Sequence, residues 1–171
     1  MSNLPFEVSI DFPLYQSRKG LYFIGQTPIL NGQSGTAFAS LCNPHGSHSL
    51  VYVNAITITN LSDCSLLAEF SLGHMLHHYS ISKLVMATNT SICPPMFPNA
   101  NIEYLTATLP TPMDGVPIFS RIVPPQSTLV VDGGQIILGQ MQSLGVSINN
   151  LNSASFNDVR FAFGWSEEDN C

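Results

Sequence analysis

The residues best suited to chemistry in this chain are its five histidines and four cysteines. Three histidines crowd together in Gly73-His74-Met75-Leu76-His77-His78-Tyr79. A metal site needs imidazoles that converge from a rigid element. His74 and His78 would share a face only on a helix, and this stretch lies between two strand-like runs. No glutamate follows the first histidine, so the H-E-x-x-H arrangement of a zinc protease is absent. Cys42, His45 and His48 form a second group, spaced C-x-x-H-x-x-H around Pro44 and Gly46. Their types suit zinc, but three ligands in a turn-rich loop leave a tetrahedral site short of its fourth, which would have to come from the His74 cluster. Both groups read as polar connecting loops, and we assign no metal ligand and no cofactor to them.

Nucleophilic and phosphate chemistry find less support. Gly32-Gln33-Ser34-Gly35 is not the G-x-S-x-G elbow, and neither glycine-rich phosphate motif occurs. Glu167, Glu168 and Asp169 form a charged run that reads as a solvated tail. Glu69 and Glu103 lie in strand-like segments and could meet across a sandwich. With no catalytic residue assigned, the expectation is that the protein is not an enzyme. Of the cysteines, Cys42, Cys64 and Cys93 form no C-x-x-C pair and read as small buried hydrophobes. Cys171 follows the polar run Ser166 to Asn170, where an exposed thiol could form an intermolecular crosslink.

The elements that would position these residues are short strands with turn chemistry between them. Leu21–Ile24, Thr36–Ala39, Ser49–Asn60, Leu66–Leu72 and Ile81–Ala87 precede the proline-rich break at Cys93–Pro98. Ile102–Leu109, Ile118–Val123, Thr128–Val131, Ile136–Leu138, Leu144–Ile148 and Val159–Trp165 follow it. Within Ser49–Asn60 the apolar residues change parity near Ala55-Ile56, which predicts a bulge. Val159, Phe161, Phe163 and Trp165 fall on one face with period two and belong in a core. Asp132-Gly133-Gly134 reads as a hairpin turn. Pro5 and Pro13 restrict residues 1–20 to an extended or edge arm. No run has helical periodicity with caps. The expected architecture is therefore all-β, an antiparallel jelly-roll-like β-sandwich over residues 21–171 with an extended N-terminal arm over 1–20.

Composition narrows the partners. Only 9% of the 171 residues are charged and the net charge is −6. An ordinary domain carries roughly 25%, and a surface so poor in charge resists self-association weakly. Arg18, Lys19, Lys83, Arg121 and Arg160 are scattered, which disfavours nucleic acid and anionic membranes. No apolar run is long enough to span a bilayer, and no Sec-type signal is present, so synthesis in the cytoplasm is expected.

One further indication comes from Val123-Pro124-Pro125-Gln126-Ser127-Thr128-Leu129-Val130-Val131-Asp132-Gly133-Gly134 with Ile136-Ile137-Leu138, then Ser143-Leu144-Gly145-Val146-Ser147 and Phe161-Ala162-Phe163-Gly164-Trp165-Ser166-Glu167-Glu168. This texture resembles small all-β proteins of spore-forming Firmicutes. In plan the chain is similar to the jelly-roll subunits of endospore appendages. The resemblance implies a subunit without a signal peptide, an arm that links neighbours, disulfide crosslinks, and a place on the spore or cell surface after release. No cysteine occurs in the first twenty residues, so the crosslink would fall to Cys171. The expected function is a structural, self-assembling fibre or appendage subunit whose partners are copies of itself, with Pro5, Phe6, Phe12 and Pro13 in the assembly arm. The alternatives are a carbohydrate- or receptor-binding sandwich and a metal-dependent cupin-like enzyme.

Overall fold

The computed structural model describes residues 9–32, 36–73, 79–107, 115–150 and 157–169. One helix, α1 (Phe12–Lys19), precedes twelve strands: β1 (Tyr22–Gln26), β2 (Leu30–Gly32), β3 (Thr36–Asn43), β4 (Ser49–Asn60), β5 (Leu66–Leu72), β6 (Ser80–Ile81), β7 (Val85–Ala87), β8 (Asn101–Ala107), β9 (Val116–Val123), β10 (Ser127–Leu138), β11 (Gln142–Asn150) and β12 (Asn157–Asp169). They form two six-stranded antiparallel sheets. The first runs β10-β4-β12-β1-β7, with β2 pairing β12, and the second runs β6-β8-β3-β11-β5-β9. The chain changes sheet between β2 and β3, β3 and β4, β4 and β5, β6 and β7, β7 and β8, β9 and β10, β10 and β11, and β11 and β12, so strands near in sequence alternate between the two layers of a double-sheet jelly roll.

Period two explains which residues meet between the sheets. Val159, Phe161, Phe163 and Trp165 from β12 are almost fully buried there, facing Leu41 from β3, Phe70 from β5 and Ile102 from β8. The parity change in β4 is accommodated at Asn54, which both neighbours skip. Ala55 and Val53 pair with Gly164 and Trp165 on β12, and with Asp132 and Ile136 on β10. The single extra residue lets Val51 and Val53 point inward on one side of the bulge and Ile56 and Ile58 on the other.

Three expectations are corrected. Asp132-Gly133-Gly134 is not a hairpin turn; β10 runs continuously through it, with the register shift between Asp132 and Ile136. Gly133 lies so close to β4 that a Cβ would meet Val53 Cγ1 at 2.7 Å, and Asp132 Oδ1 accepts the Gly134 N–H at 2.9 Å. The same residue types serve bulges and turns. Second, Ile81–Ala87 is not one strand: β6 pairs β8 in the second sheet and β7 pairs β1 in the first.

Third, the arm is not extended throughout, because Phe12 and Pro13 begin α1. Proline is at home in the first helical turn, where its missing N–H costs nothing. Gly20, with φ of 79°, closes the other end. Eight residues are too few for a stable isolated helix, so docking on the outer face of the first sheet holds this one. Phe12 packs edge-on against Tyr52 of β4 with ring centroids 5.8 Å apart, buried Gln16 donates to Glu168 of β12, and the Ser17 hydroxyl lies 2.8 Å from that of Thr88 just beyond β7. Pro5 and Phe6 lie outside the described residues.

Candidate functional site

The outer face of the first sheet is divided in two. Helix α1 covers the end that carries Tyr52, Ser166 and Glu168. The other end is an open trough of about 620 Å³. Its floor comes from small side chains that alternate with the core residues of the central strands. Thr57 of β4 pairs with Ala162 of β12, which pairs with Gln26 of β1; one row away Ala55 pairs with Gly164, which pairs with Ile24. A Cβ at Gly164 would lie 2.9 Å from the Tyr22 hydroxyl, so the floor there is as low as a side chain allows. Ile24, Leu84 and Met86 stand beside it, 52%, 51% and 55% exposed. Val130 extends the apolar surface at the β10 edge, beside Thr57. Among the described residues Lys83 is the only charged one lining the trough. A surface of this kind excludes water from an apolar partner and offers one cation for orientation; it holds no nucleophile beside a base.

A smaller recess of about 160 Å³ opens on the second sheet, lined by Cys42, Pro44, His45, Tyr79, Glu103, Met141 and Ser143. Cys42 and Glu103 reach it from β3 and β8 because Cys42 pairs with Asn101, and Ser40 with Glu103, on the sheet's outer face. Glu103 is only 5% exposed, and burial raises the carboxyl above its ordinary value, opposed by hydrogen bonding from Cys42 and Tyr79. Burial pushes the Cys42 thiol up to about 12, helped by the adjacent Glu103 charge, so at neutral pH it is a thiol and a poor nucleophile. A carboxyl whose native pKa lies above its unfolded one favours the fold while protonated. That contribution is present at acid pH and is lost as pH rises from 4.5 through the raised value. Glu103→Gln is expected to flatten urea midpoints measured from pH 4 to pH 8, because a neutral amide replaces the titrating group.

The sequence-predicted groups separate in the structure. Cys42 and His45 share the small recess, whereas His48 does not line it. Among the described residues no three His, Cys, Asp or Glu side chains gather as metal ligands. His74, His77 and His78 lie outside the described residues, as does Cys171. Glu69 and Glu103 do not face each other across the sandwich. Both belong to the second sheet, three strands apart, a separation of about 15 Å. Glu69 instead accepts from Asn149 Nδ2 at 2.6 Å. No disulfide joins Cys42, Cys64 and Cys93, and Cys93 is exposed rather than buried. No described helix is long and apolar enough to cross a membrane. The trough itself was missed from sequence. Its signal was the other parity of β12, where Ala162 and Gly164 alternate with Phe161, Phe163 and Trp165.

Residues 3–171 match a family described as a family of unknown function, DUF6143. The chain belongs to DUF6143. The match spans both sheets and every residue of the trough and the recess, so both sites lie on the family's own domain. No curated protein and no solved structure matches the chain.

Proposed function

We propose that this DUF6143 protein is a structural subunit that assembles with copies of itself. The observation that carries the reading is the apolar outer face of the first sheet. Monomeric proteins rarely expose a contiguous apolar patch of this kind, and those that occur mark interaction sites. Here Ile24, Leu84 and Met86 surround a floor without charge. The surrounding surface does little to keep copies apart, since charged residues are 9% of the chain. A fibre or appendage on the spore or cell surface is the setting that the sequence resemblance suggests.

Light scattering of the purified protein over a range of concentrations tests this. The wild type is expected to form dimers or larger species, and Leu84→Glu with Met86→Glu to weaken association more than tenfold, since two carboxylates would have to be desolvated at the contact. Both side chains are exposed, so Trp165 fluorescence should report an unchanged fold. A wild type that stays monomeric at high concentration overturns the proposal.

A further inference from the structure

The trough has one occupant that the chain itself supplies. Resting on the self-assembly reading, we infer that Leu4-Pro5-Phe6-Glu7-Val8 of a second copy fills it, with Glu7 of that copy against Lys83.

A second copy supplies the segment under the self-assembly reading, and α1 sets where the segment starts. Phe12 lies over β4, Gln16 reaches β12, and Ser17 meets Thr88 beyond β7. The helix therefore crosses the first sheet from the β4 side to the β7 side. Phe12, at the start of the helix, lies over β4, and the trough wall formed by Lys83–Met86 lies at the β7 edge, with β12 and β1 between them. Residues 1–8, if fully extended, would span about 28 Å. Donation of the segment to a neighbour's trough makes each copy both giver and receiver, and its return to its own trough is the outcome that the test below separates from it.

The chemistry of the segment fits the trough. Leu4, Phe6 and Val8 alternate with Pro5 and Glu7, so an extended segment presents three apolar side chains on one face. A volume near 620 Å³ lies within the range of sites that enclose small ligands, which suits a few side chains rather than a whole domain face. Lys83 is one of only five basic residues in the chain, and Glu7 is the only charge in Leu4–Val8. Joining an arm on one copy to a trough on the next is a head-to-tail contact. Such contacts propagate into filaments unless the rotation between copies closes a ring. Pro5 removes one backbone donor without cost, because insertion between side-chain walls does not require a hydrogen-bonded ladder.

The test uses full-length protein carrying a benzophenone side chain at position 6, prepared both ¹⁵N-labelled and unlabelled, then mixed and irradiated. Mass spectrometry is expected to find position 6 joined to residues 83–86 or 162–164, with crosslinks connecting heavy and light chains. A parallel series measures association by light scattering. Lys83→Glu is expected to weaken it about fivefold, and combining it with Glu7→Lys to restore it to near the wild-type value. Crosslinks confined to chains of the same isotope would show the segment folding over its own trough and would overturn the inference. So would crosslinks to β9 or β10, which would mean strand addition at a sheet edge, or failure of the charge swap to restore association. In those cases an oligomer would still be present and the self-assembly reading would stand; monomers throughout would remove both.

Discussion

Asn60→Ala is expected to cost about 4 kcal/mol of stability, near the upper end for one substitution. Asn60 is fully buried at the end of β4, where the chain leaves the first sheet. Its Nδ2 donates to the carbonyls of Cys64, Pro124 and Val123 at 2.8, 2.9 and 3.2 Å. Its Oδ1 accepts from the Ser62 N–H at 2.9 Å and the Ser62 hydroxyl at 2.5 Å. One amide thus ties the β4–β5 connection to the β9–β10 connection. Alanine strands all of these groups at once, and buried polar groups without partners are expensive. For a domain of this size the melting temperature should fall by about 12 °C. Asn60→Asp distinguishes hydrogen-bond chemistry from shape. It is isosteric, yet at neutral pH it sets a carboxylate against carbonyl oxygens, so it should be at least as damaging as alanine. An aspartate variant as stable as the wild type would show that the carbonyl contacts carry little.

Glu167→Ala should cost about 3 kcal/mol, and Glu167→Gln about half of that. Glu167 is a buried acidic side chain held by a set of donors. Oε1 accepts from the Trp165 indole N–H at 2.9 Å and the Ala100 N–H at 3.0 Å, and Oε2 accepts from the Asn99 N–H at 2.8 Å. The side chain therefore fastens the excursion between β7 and β8 to the end of β12, while the Glu167 N–H donates to the Leu21 carbonyl at 3.0 Å. Glutamine keeps one acceptor oxygen but turns an NH₂ toward a donor, which places it between wild type and alanine. Trp165 is the only tryptophan, so urea unfolding followed by its emission reads the loss. The exposed Cys93 lies in the same excursion, and its alkylation rate should rise in Glu167→Ala if the excursion loosens. An unchanged urea midpoint would refute the structural role of this carboxylate.

Neither knot was visible as such in the sequence. In the sequence Asn60 ends a strand and Glu167 belongs to a charged run, and neighbours alone give no sign of what either side chain holds. From its neighbours Glu167 reads as part of a solvated tail, but β12 continues to Asp169 and turns that side chain inward beside Trp165. A charged run marks solvent only where no partner donors wait for it. The helix α1 was hidden for a related reason. Pro13 reads as a sign of extended chain, although Pro13 with Gly20 seven residues later is equally the start and stop of a short helix. What decides between them is the surface on which Phe12 and Gln16 dock, and that surface is built from β4 and β12.

By itself the sequence determined the fold class, the bounds of β4 and β5, the bulge near Ala55, and the inward stripe of β12. These follow from side chains alternating along a single strand, which is a local property. Only the tertiary structure decided which strands lie side by side, that residues near Asp132 form a bulge rather than a turn, that β6 and β7 serve different sheets, and that Ala55, Thr57, Ala162 and Gly164 form one trough floor. Those outcomes depend on pairings between residues as far apart as Tyr22 and Ser166. Periodicity within one strand states which face a residue takes. It carries no information about what stands beside it, and a site on a sheet face is made of what stands beside.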